Sequence, residues 1–133
     1  MKLVDRQYFL HLPAGTVYCK FPLNDKGDAH NRLFGLSAPS IKGDTINDSD
    51  FYTCALGEDM SPVDGSNEID TFFDMQQSLA KEVPFEMNGG RDGMFDDENI
   101  GFMIFSREEV QQMIDELQDA LDSAYREIKK KEL

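Results

Sequence analysis

Residues 101–110, which read Gly-Phe-Met-Ile-Phe-Ser-Arg-Glu-Glu-Val, contain the clearest structural signal in the chain. The run from Gly101 to Phe105 is the most apolar segment, and it predicts a buried strand at the centre of a sheet. Ser106 and Glu109 then match the capping box, in which each side chain accepts a hydrogen bond from the other residue's backbone N–H. We therefore expect the strand to end at Phe105 and a helix to begin at Ser106.

The segment after this cap is typical of a long amphipathic helix. Acidic residues in its first turn and Lys129-Lys130-Lys131 in its last turn complement the helix dipole. A stripe of this kind most often packs on the protein's own sheet, but a/d spacing over nearly three heptads also permits pairing with a second copy in a homodimer. The stripe consists of Val110, Met113, Ile114, Leu117, Leu121, Ala124, Tyr125 and Ile128.

Shorter elements are predicted upstream. Asp5 is placed to cap a short helix that ends before Pro13, and Ser66 is placed to cap a helix from Asn67 to about Lys81. Alternating apolar and β-branched residues predict strands at Thr16–Pro22, at Leu33–Leu36 continuing through Ser40–Lys42, at Asp50–Leu56 and at Glu82–Met87. Loops or turns are predicted at 24–31, Gly43-Asp44, 57–67 and Asn88–Gly93.

Together these patterns predict one acidic α+β domain spanning residues 1–133. We expect a small antiparallel sheet of about four to five strands packed by two helices, including the long C-terminal amphipathic helix. No apolar run is long enough to span a bilayer, and Met1–Arg6 lacks the apolar segment of a secretory signal. A cytoplasmic location and no contact with membranes are therefore expected.

The acidic residues are concentrated in the middle of the chain. The formal net charge is −13, and residues 43–106 hold fifteen Asp and Glu residues against only Lys81 and Arg91. Because such a field repels phosphate backbones, direct binding of nucleic acid is not expected. The field favours a partner protein that is basic or that itself binds nucleic acid. An acidic surface that only keeps the protein soluble is the simpler alternative.

No sequence pattern predicts a catalytic or metal site. Carboxylates cluster between Asp92 and Glu98, but Met94 occupies a position where a calcium-binding loop needs an oxygen ligand. No serine lies in a Gly-x-Ser-x-Gly motif. The paired spacing of a zinc site is missing from the His and Cys residues, which are His11, His30, Cys19 and Cys54. We therefore expect no enzyme activity and no cofactor.

The glycine-rich segment Gly89–Gly93 is typical of a structural turn. An exposed recognition loop with Arg91 and Phe95 at its tip is the alternative interpretation. The surrounding carboxylates are candidates for a surface that imitates the charge of DNA. The candidate partner-binding residues are Asp44, Asp48, Asp50, Glu58, Asp59, Asp64, Arg91, Asp92, Phe95, Asp96, Asp97 and Glu98, with Glu68, Asp70 and Asp74 extending the acidic surface.

Three stretches carry a further pattern: Arg6–Tyr18, Ile41–Thr45 with Asp50–Tyr52, and Gly90–Asp96. Over roughly residues 3–115 the chain resembles a family of small uncharacterised acidic proteins encoded by bacteriophages and prophages. The resemblance implies an accessory protein made inside a bacterial host, and it supplies no catalytic motif. Small acidic phage proteins often block a host defence enzyme, in some cases by imitating nucleic acid.

The leading hypothesis is a non-enzymatic protein that binds and inhibits a host defence or nucleic-acid-handling protein through its acidic surface. The alternative is a protein that binds or sequesters a small molecule such as a nucleotide signal. The candidates to contact such a ligand are Tyr8, Phe34, Tyr52 and Phe95 for stacking on a base, and Arg91 or Lys42 for meeting a phosphate.

Overall fold

The computed structural model describes residues 1–23 and 36–128 of the chain. The predicted loop at 24–31, the start of the predicted strand at Leu33 and the lysines at 129–131 lie outside the described residues. The described elements are β1 (Lys2–Val4), α1 (Arg6–Leu10), β2 (Val17–Pro22), β3 (Ser40–Thr45), β4 (Phe51–Ala55), β5 (Met60–Pro62), α2 (Glu68–Gln77), β6 (Phe85–Met87), β7 (Gly90–Arg91), β8 (Ile100–Ile104), α3 (Arg107–Asp122) and α4 (Ala124–Glu127).

Six strands form one antiparallel sheet in the order β1-β8-β2-β3-β4-β7, and β5 pairs with β6 in a separate two-stranded sheet. Together with the helices, these antiparallel pairings confirm the predicted α+β class. Strand β8 lies between β1 and β2, where Phe102 stands opposite Val4 on one side and Lys20 on the other. It is thus an interior strand, as its apolar sequence predicts, although β2 and β3 form the centre of the sheet.

The core lies between α1 and one face of the six-stranded sheet. The ring of Phe9 is fully buried and stacks on the ring of Phe102 with a centroid distance of 4.0 Å. Tyr18 and Phe51 pack edge-on against Phe9 at 4.6 and 5.0 Å. Because aromatic rings bury a large area each, a helix of five residues is enough to cover this face.

The helix caps follow local hydrogen-bonding chemistry. Asp5 caps α1 as predicted, since its carboxylate accepts a hydrogen bond from the Tyr8 N–H at 2.8 Å. Helix α2 is capped by Asn67, whose side chain accepts hydrogen bonds from two backbone N–H groups of the first turn. The prediction of Ser66 as this cap is wrong, because its hydroxyl and N–H both donate to the Asp64 carboxylate.

Strands β1, β5 and β7 were not predicted from the sequence. Strand β7 is only Gly90–Arg91 and pairs with β4 inside the segment predicted as a turn, while β5 lies inside the predicted loop at 57–67. Gly43-Asp44 is also not a turn but lies within β3, where the register with β4 shifts between Lys42 and Thr45. Such short strands have no alternating pattern of their own, because partners distant in sequence provide their backbone hydrogen bonds.

The predicted capping box is present at the start of α3. The Ser106 N–H donates to the Glu109 carboxylate at 2.8 Å, and the Glu109 N–H donates to the Ser106 hydroxyl at 3.1 Å. Hydrogen bonds from the Met1 amino group and from the Ser106 N–H lower the pKa of Glu109 to about 2. The helix that follows is the predicted long amphipathic helix.

Helix α3 ends before the apolar stripe does. The Ser123 hydroxyl donates to the Asp119 carbonyl at 2.7 Å, the chain leaves helical geometry at Ser123, and one further turn follows as α4. A serine that bonds to the backbone in this way competes with the regular helical pattern. None of the helices in the described ranges is both long and apolar enough to cross a membrane.

The stripe on α3 is not buried against the sheet. Val110 and Met113 are half-buried, whereas Ile114, Leu117 and Leu121 are 51%, 66% and 57% exposed. Within the described part of the chain, only the start of the stripe is partly buried, and its later residues remain exposed to solvent. Pairing of the stripe with a second copy stays a prediction.

Candidate protein-binding surface

The acidic loop, residues 92–99, connects β7 to β8 and is fixed to β4 by Asp50. One oxygen of this 1% exposed carboxylate accepts hydrogen bonds from the N–H groups of Phe51 and Gly93, both at 2.9 Å. The other oxygen pairs with the Arg91 Nε at 2.8 Å. Burial raises the pKa of Asp50, but the three hydrogen bonds and the charge of Arg91 outweigh it, so that the pKa lies below its usual value.

Two basic residues from the N-terminal part of the chain also hold the acidic loop. The Arg6 guanidinium donates to the Gly93 carbonyl at 3.0 Å. The Lys20 ammonium donates to the Asp92 carbonyl at 2.8 Å and forms ion pairs with the carboxylates of Asp92 and Asp96 at 3.2 and 2.8 Å. Residues 1–42 hold six Lys and Arg residues against three Asp and Glu residues, so a net-positive segment meets the acidic middle segment at this loop.

Gly93 lies where the acidic loop approaches the sheet most closely. A Cβ atom at this position would lie 2.7 Å from the Phe51 ring, 2.7 Å from the Ser49 carbonyl oxygen and 2.9 Å from the Asp50 Cα. Because these distances are too short for any side chain, a larger residue would push the loop away from β4. The glycine thus keeps the N–H at position 93 within reach of the Asp50 carboxylate.

The fixed loop presents apolar side chains to solvent. Phe95 is 92% exposed, the highest value among the large apolar residues described, and Met94 is 56% exposed. Asp97 and Glu98 follow and are also exposed. An aromatic side chain with an acidic border therefore projects from a segment whose backbone is held by the contacts of Asp50, Arg6 and Lys20.

Several carboxylates of the predicted partner-binding surface serve the fold instead. Asp50 is buried, so its assignment as a partner-binding residue is wrong. Asp59 accepts a hydrogen bond from the Ala55 N–H at 2.5 Å, and the side chain of Asp96 is only 13% exposed. Asp64 remains exposed, but hydrogen bonds from Ser66 lower the pKa of its carboxyl.

A second group of carboxylates faces solvent without a hydrogen bond or ion pair from residues 1–23 or 36–128. Three members lie on α2, and the others lie in turns or at strand ends. The group consists of Asp44, Asp48, Glu58, Glu68, Asp70, Asp74 and Glu98. These side chains contribute to the acidic exterior and are free to meet a partner.

Lys42 and Tyr52, both proposed to contact a small anionic ligand, lie on opposite faces of the sheet, whereas Arg91 pairs with Tyr52 between β7 and β4. Lys42 is 2% exposed, and its ammonium donates to the Gly43 carbonyl and the Thr45 hydroxyl at 3.0 and 2.9 Å. Burial lowers the pKa of Lys42, and its assignment to a phosphate is wrong because it lies in the core. Tyr52 projects from the opposite face of the sheet, since Thr53 is the residue paired with Lys42. Phe34 lies outside the described residues.

Arg6 and Lys20 hold the acidic loop in place, and the sequence did not single out either residue. The one available signal was the net-positive charge of residues 1–42, and it did not indicate which acidic residues these cations would contact.

No group of three or more His, Cys, Asp or Glu residues in the described ranges is arranged to hold a metal ion. Comparison with protein-family models, with curated proteins and with solved structures finds no match to this chain.

Proposed function

We propose that this protein acts by binding, with the acidic loop, a basic surface of another protein. The observation that carries the proposal is the exposure of Phe95 at the tip of a loop with a fixed backbone. Exposed aromatic residues are the commonest anchors of protein interfaces, and a loop that is already ordered loses little conformational entropy on binding.

The charges around Phe95 indicate the sign of the charge on the partner's surface. Asp97 and Glu98 follow Phe95 closely in the acidic loop, and both are exposed. Asp48 is also exposed and lies two residues before Asp50, which holds the loop. Carboxylates at the border of an interface accelerate encounter with a positively charged surface and repel anionic competitors. A protein that handles nucleic acid has such a surface, because it must bind phosphates.

The resemblance to phage and prophage proteins supplies the proposed setting. In that setting the protein works in the cytoplasm of a bacterial host and, without catalysis of its own, blocks a defence or nucleic-acid-handling protein by covering its basic surface. A DNA-like arrangement of charge is one way to achieve this, and the unpaired carboxylates on α2 and in the turns are the residues available for it.

Reversal of two charges tests this function. The variant Asp97→Lys with Glu98→Lys should lose a bacterial partner that the unchanged protein captures at low salt, because both side chains are exposed and neither anchors the loop to the sheet. Quantitative mass spectrometry of the captured proteins is the measurement. Glu116→Lys with Asp119→Lys, on the outer side of α3, is the matched control. Equal capture by both variants would contradict the role of the acidic loop.

We also propose that the stripe on α3 pairs with a second copy of the chain. On α3 its heptad a positions are Ile114 and Leu121, and its d positions are Val110 and Leu117. The carboxylates at Asp115, Glu116, Asp119 and Asp122 all fall at b, c or f positions, away from the seam. An acidic helix arranged in this way can meet an identical helix without placing like charges beside the contact.

Leu117→Glu should convert a dimer of this kind into a monomer. The side chain is 66% exposed in the single chain, so the substitution leaves folding intact while placing a charge in the helix seam. Light scattering coupled to size-exclusion chromatography measures the mass. Gln112→Glu adds the same charge at an outer f position and should leave the dimer mass unchanged. A monomeric mass for the unchanged protein at high concentration would rule out this pairing.

A further inference from the structure

A cavity of about 530 Å³ lies between α2, the β5–β6 hairpin and the turn after β4. The rings of Phe72 and Phe85 stack within it at a centroid distance of 5.6 Å, with their planes 9° apart. Phe72 is 48% exposed and Met60 is 37% exposed, so the apolar wall remains open to solvent. The residues that line the cavity are Gly57, Glu58, Met60, Glu68, Phe72 and Phe85.

Two carboxylates complete the lining, and each stands on a backbone that is held in place. The turn that carries Glu58 is tied to the hairpin by the Asn88 N–H, which donates to the Asp59 carbonyl at 2.7 Å. Glu68 is the first residue of α2, directly after the Asn67 cap. Neither Glu58 nor Glu68 receives a hydrogen bond or ion pair from the described part of the chain. The cavity therefore combines aromatic rings with two unsatisfied negative charges.

Aromatic rings together with two carboxylates favour binding of a positively charged group on an apolar chain. Gly43 to Ala80 contains no lysine or arginine, so the cavity has no group that would balance an anionic ligand. Arginine fits the lining best, because its planar guanidinium stacks on aromatic rings and donates to carboxylates in pairs. Its methylene groups can meanwhile cover Met60 and the ring edges.

We propose that the cavity receives an arginine side chain of the basic protein that the acidic loop engages. This inference rests on the function proposed above and adds the chemistry of a second contact. The acidic loop is attached at Phe51, the first residue of β4, and the turn with Glu58 follows Ala55, the last residue of β4. The two attachment points are separated by about 13 Å along the strand. A partner helix or strand of ordinary length spans that distance.

The cavity can be tested without the partner by titration with Nα-acetyl-arginine methylamide. In protein carrying ¹³C-labelled methionine methyl groups, the NMR signal of Met60 should shift saturably, and substitution of this residue assigns the signal. The citrulline analogue has nearly the same shape but no charge, and it should bind at least tenfold more weakly. No saturable shift with arginine, or an equal response to citrulline, would overturn the proposal.

Neutral substitutions at the rim test the carboxylates directly. Glu58→Gln with Glu68→Gln should weaken arginine binding about tenfold. Asp70→Asn with Asp74→Asn removes the same charge from α2 outside the cavity, and this control should bind arginine as the unchanged protein does. If a captured partner is lost with Asp97→Lys and Glu98→Lys but binds the rim variant normally, the loop function stands and the arginine site is wrong. If the protein binds arginine but captures no partner, the arginine site stands and the proposed function of the loop is wrong.

Discussion

Replacing Asp50 by asparagine is expected to lower the Tm by about 10 °C and to release the acidic loop from the sheet. The buried carboxylate accepts hydrogen bonds from three donors, one of them the charged Arg91. Asparagine keeps the size of the side chain but lacks the charge, and its amide group turns an N–H toward at least one donor. The loss should appear in thermal unfolding and as faster hydrogen exchange at Gly93.

The same substitution should alter the dependence of stability on pH. Because the pKa of Asp50 in the folded protein lies below its ordinary value, its stabilising effect is complete above that ordinary value of about 3.9. The effect is lost as the pH falls through the lower, folded-state pKa. In the asparagine variant this part of the acid sensitivity should be absent.

Asp48 provides the matched control for Asp50. It lies two residues away, is exposed, and has no hydrogen bond or ion pair within residues 1–23 and 36–128. Asp48→Asn should therefore leave the Tm and the exchange rate at Gly93 unchanged. If the two variants behave alike, the Asp50 carboxylate does not hold the loop.

The contrast between Asp48 and Asp50 also explains what the sequence could not predict. Both residues lie in one acidic segment, and donors at Arg91 and Gly93, forty-one and forty-three residues further along, help to make Asp50 structural. The capping box at Ser106 and Glu109 was predictable because donors and acceptors lie three residues apart. Local chemistry is visible in sequence, whereas pairing between distant charges requires the fold.

Lys42 shows the same limitation for a buried charge. Its place in a predicted strand suggested an exposed cation, but its pairing with Thr53 points it into the core beside Phe9, whose ring centroid lies 5.7 Å from the ammonium. The exposed stripe of α3 is the converse case. Its spacing predicted packing on the sheet, but Ile114, Leu117 and Leu121 remain more than half exposed. An amphipathic pattern indicates that a face needs a partner, and it does not identify that partner.

Phe95→Ala is expected to weaken binding of the captured partner by roughly 100-fold while leaving the Tm within about 2 °C of its original value. The substitution should affect binding and not stability, because the ring is 92% exposed and contributes almost nothing to the core. In a complex the ring would be desolvated at the centre of the contact, where truncation of an aromatic anchor has its largest effect. Isothermal titration calorimetry with the purified partner gives the Kd.

Leu79→Ala is the control for this prediction, since Leu79 is an apolar residue of comparable exposure, 86%, that lies outside the acidic loop. It should bind the partner as the unchanged protein does.

Replacing Phe95 by the photoreactive analogue p-benzoylphenylalanine should in addition cross-link the partner, because the side chain would lie inside the interface. Equal Kd values for Phe95→Ala and the unchanged protein, with no cross-link from position 95, would show that the partner binds elsewhere. The combination of a 100-fold loss with unchanged stability is specific to a binding anchor, because a residue that only ordered the loop would change both.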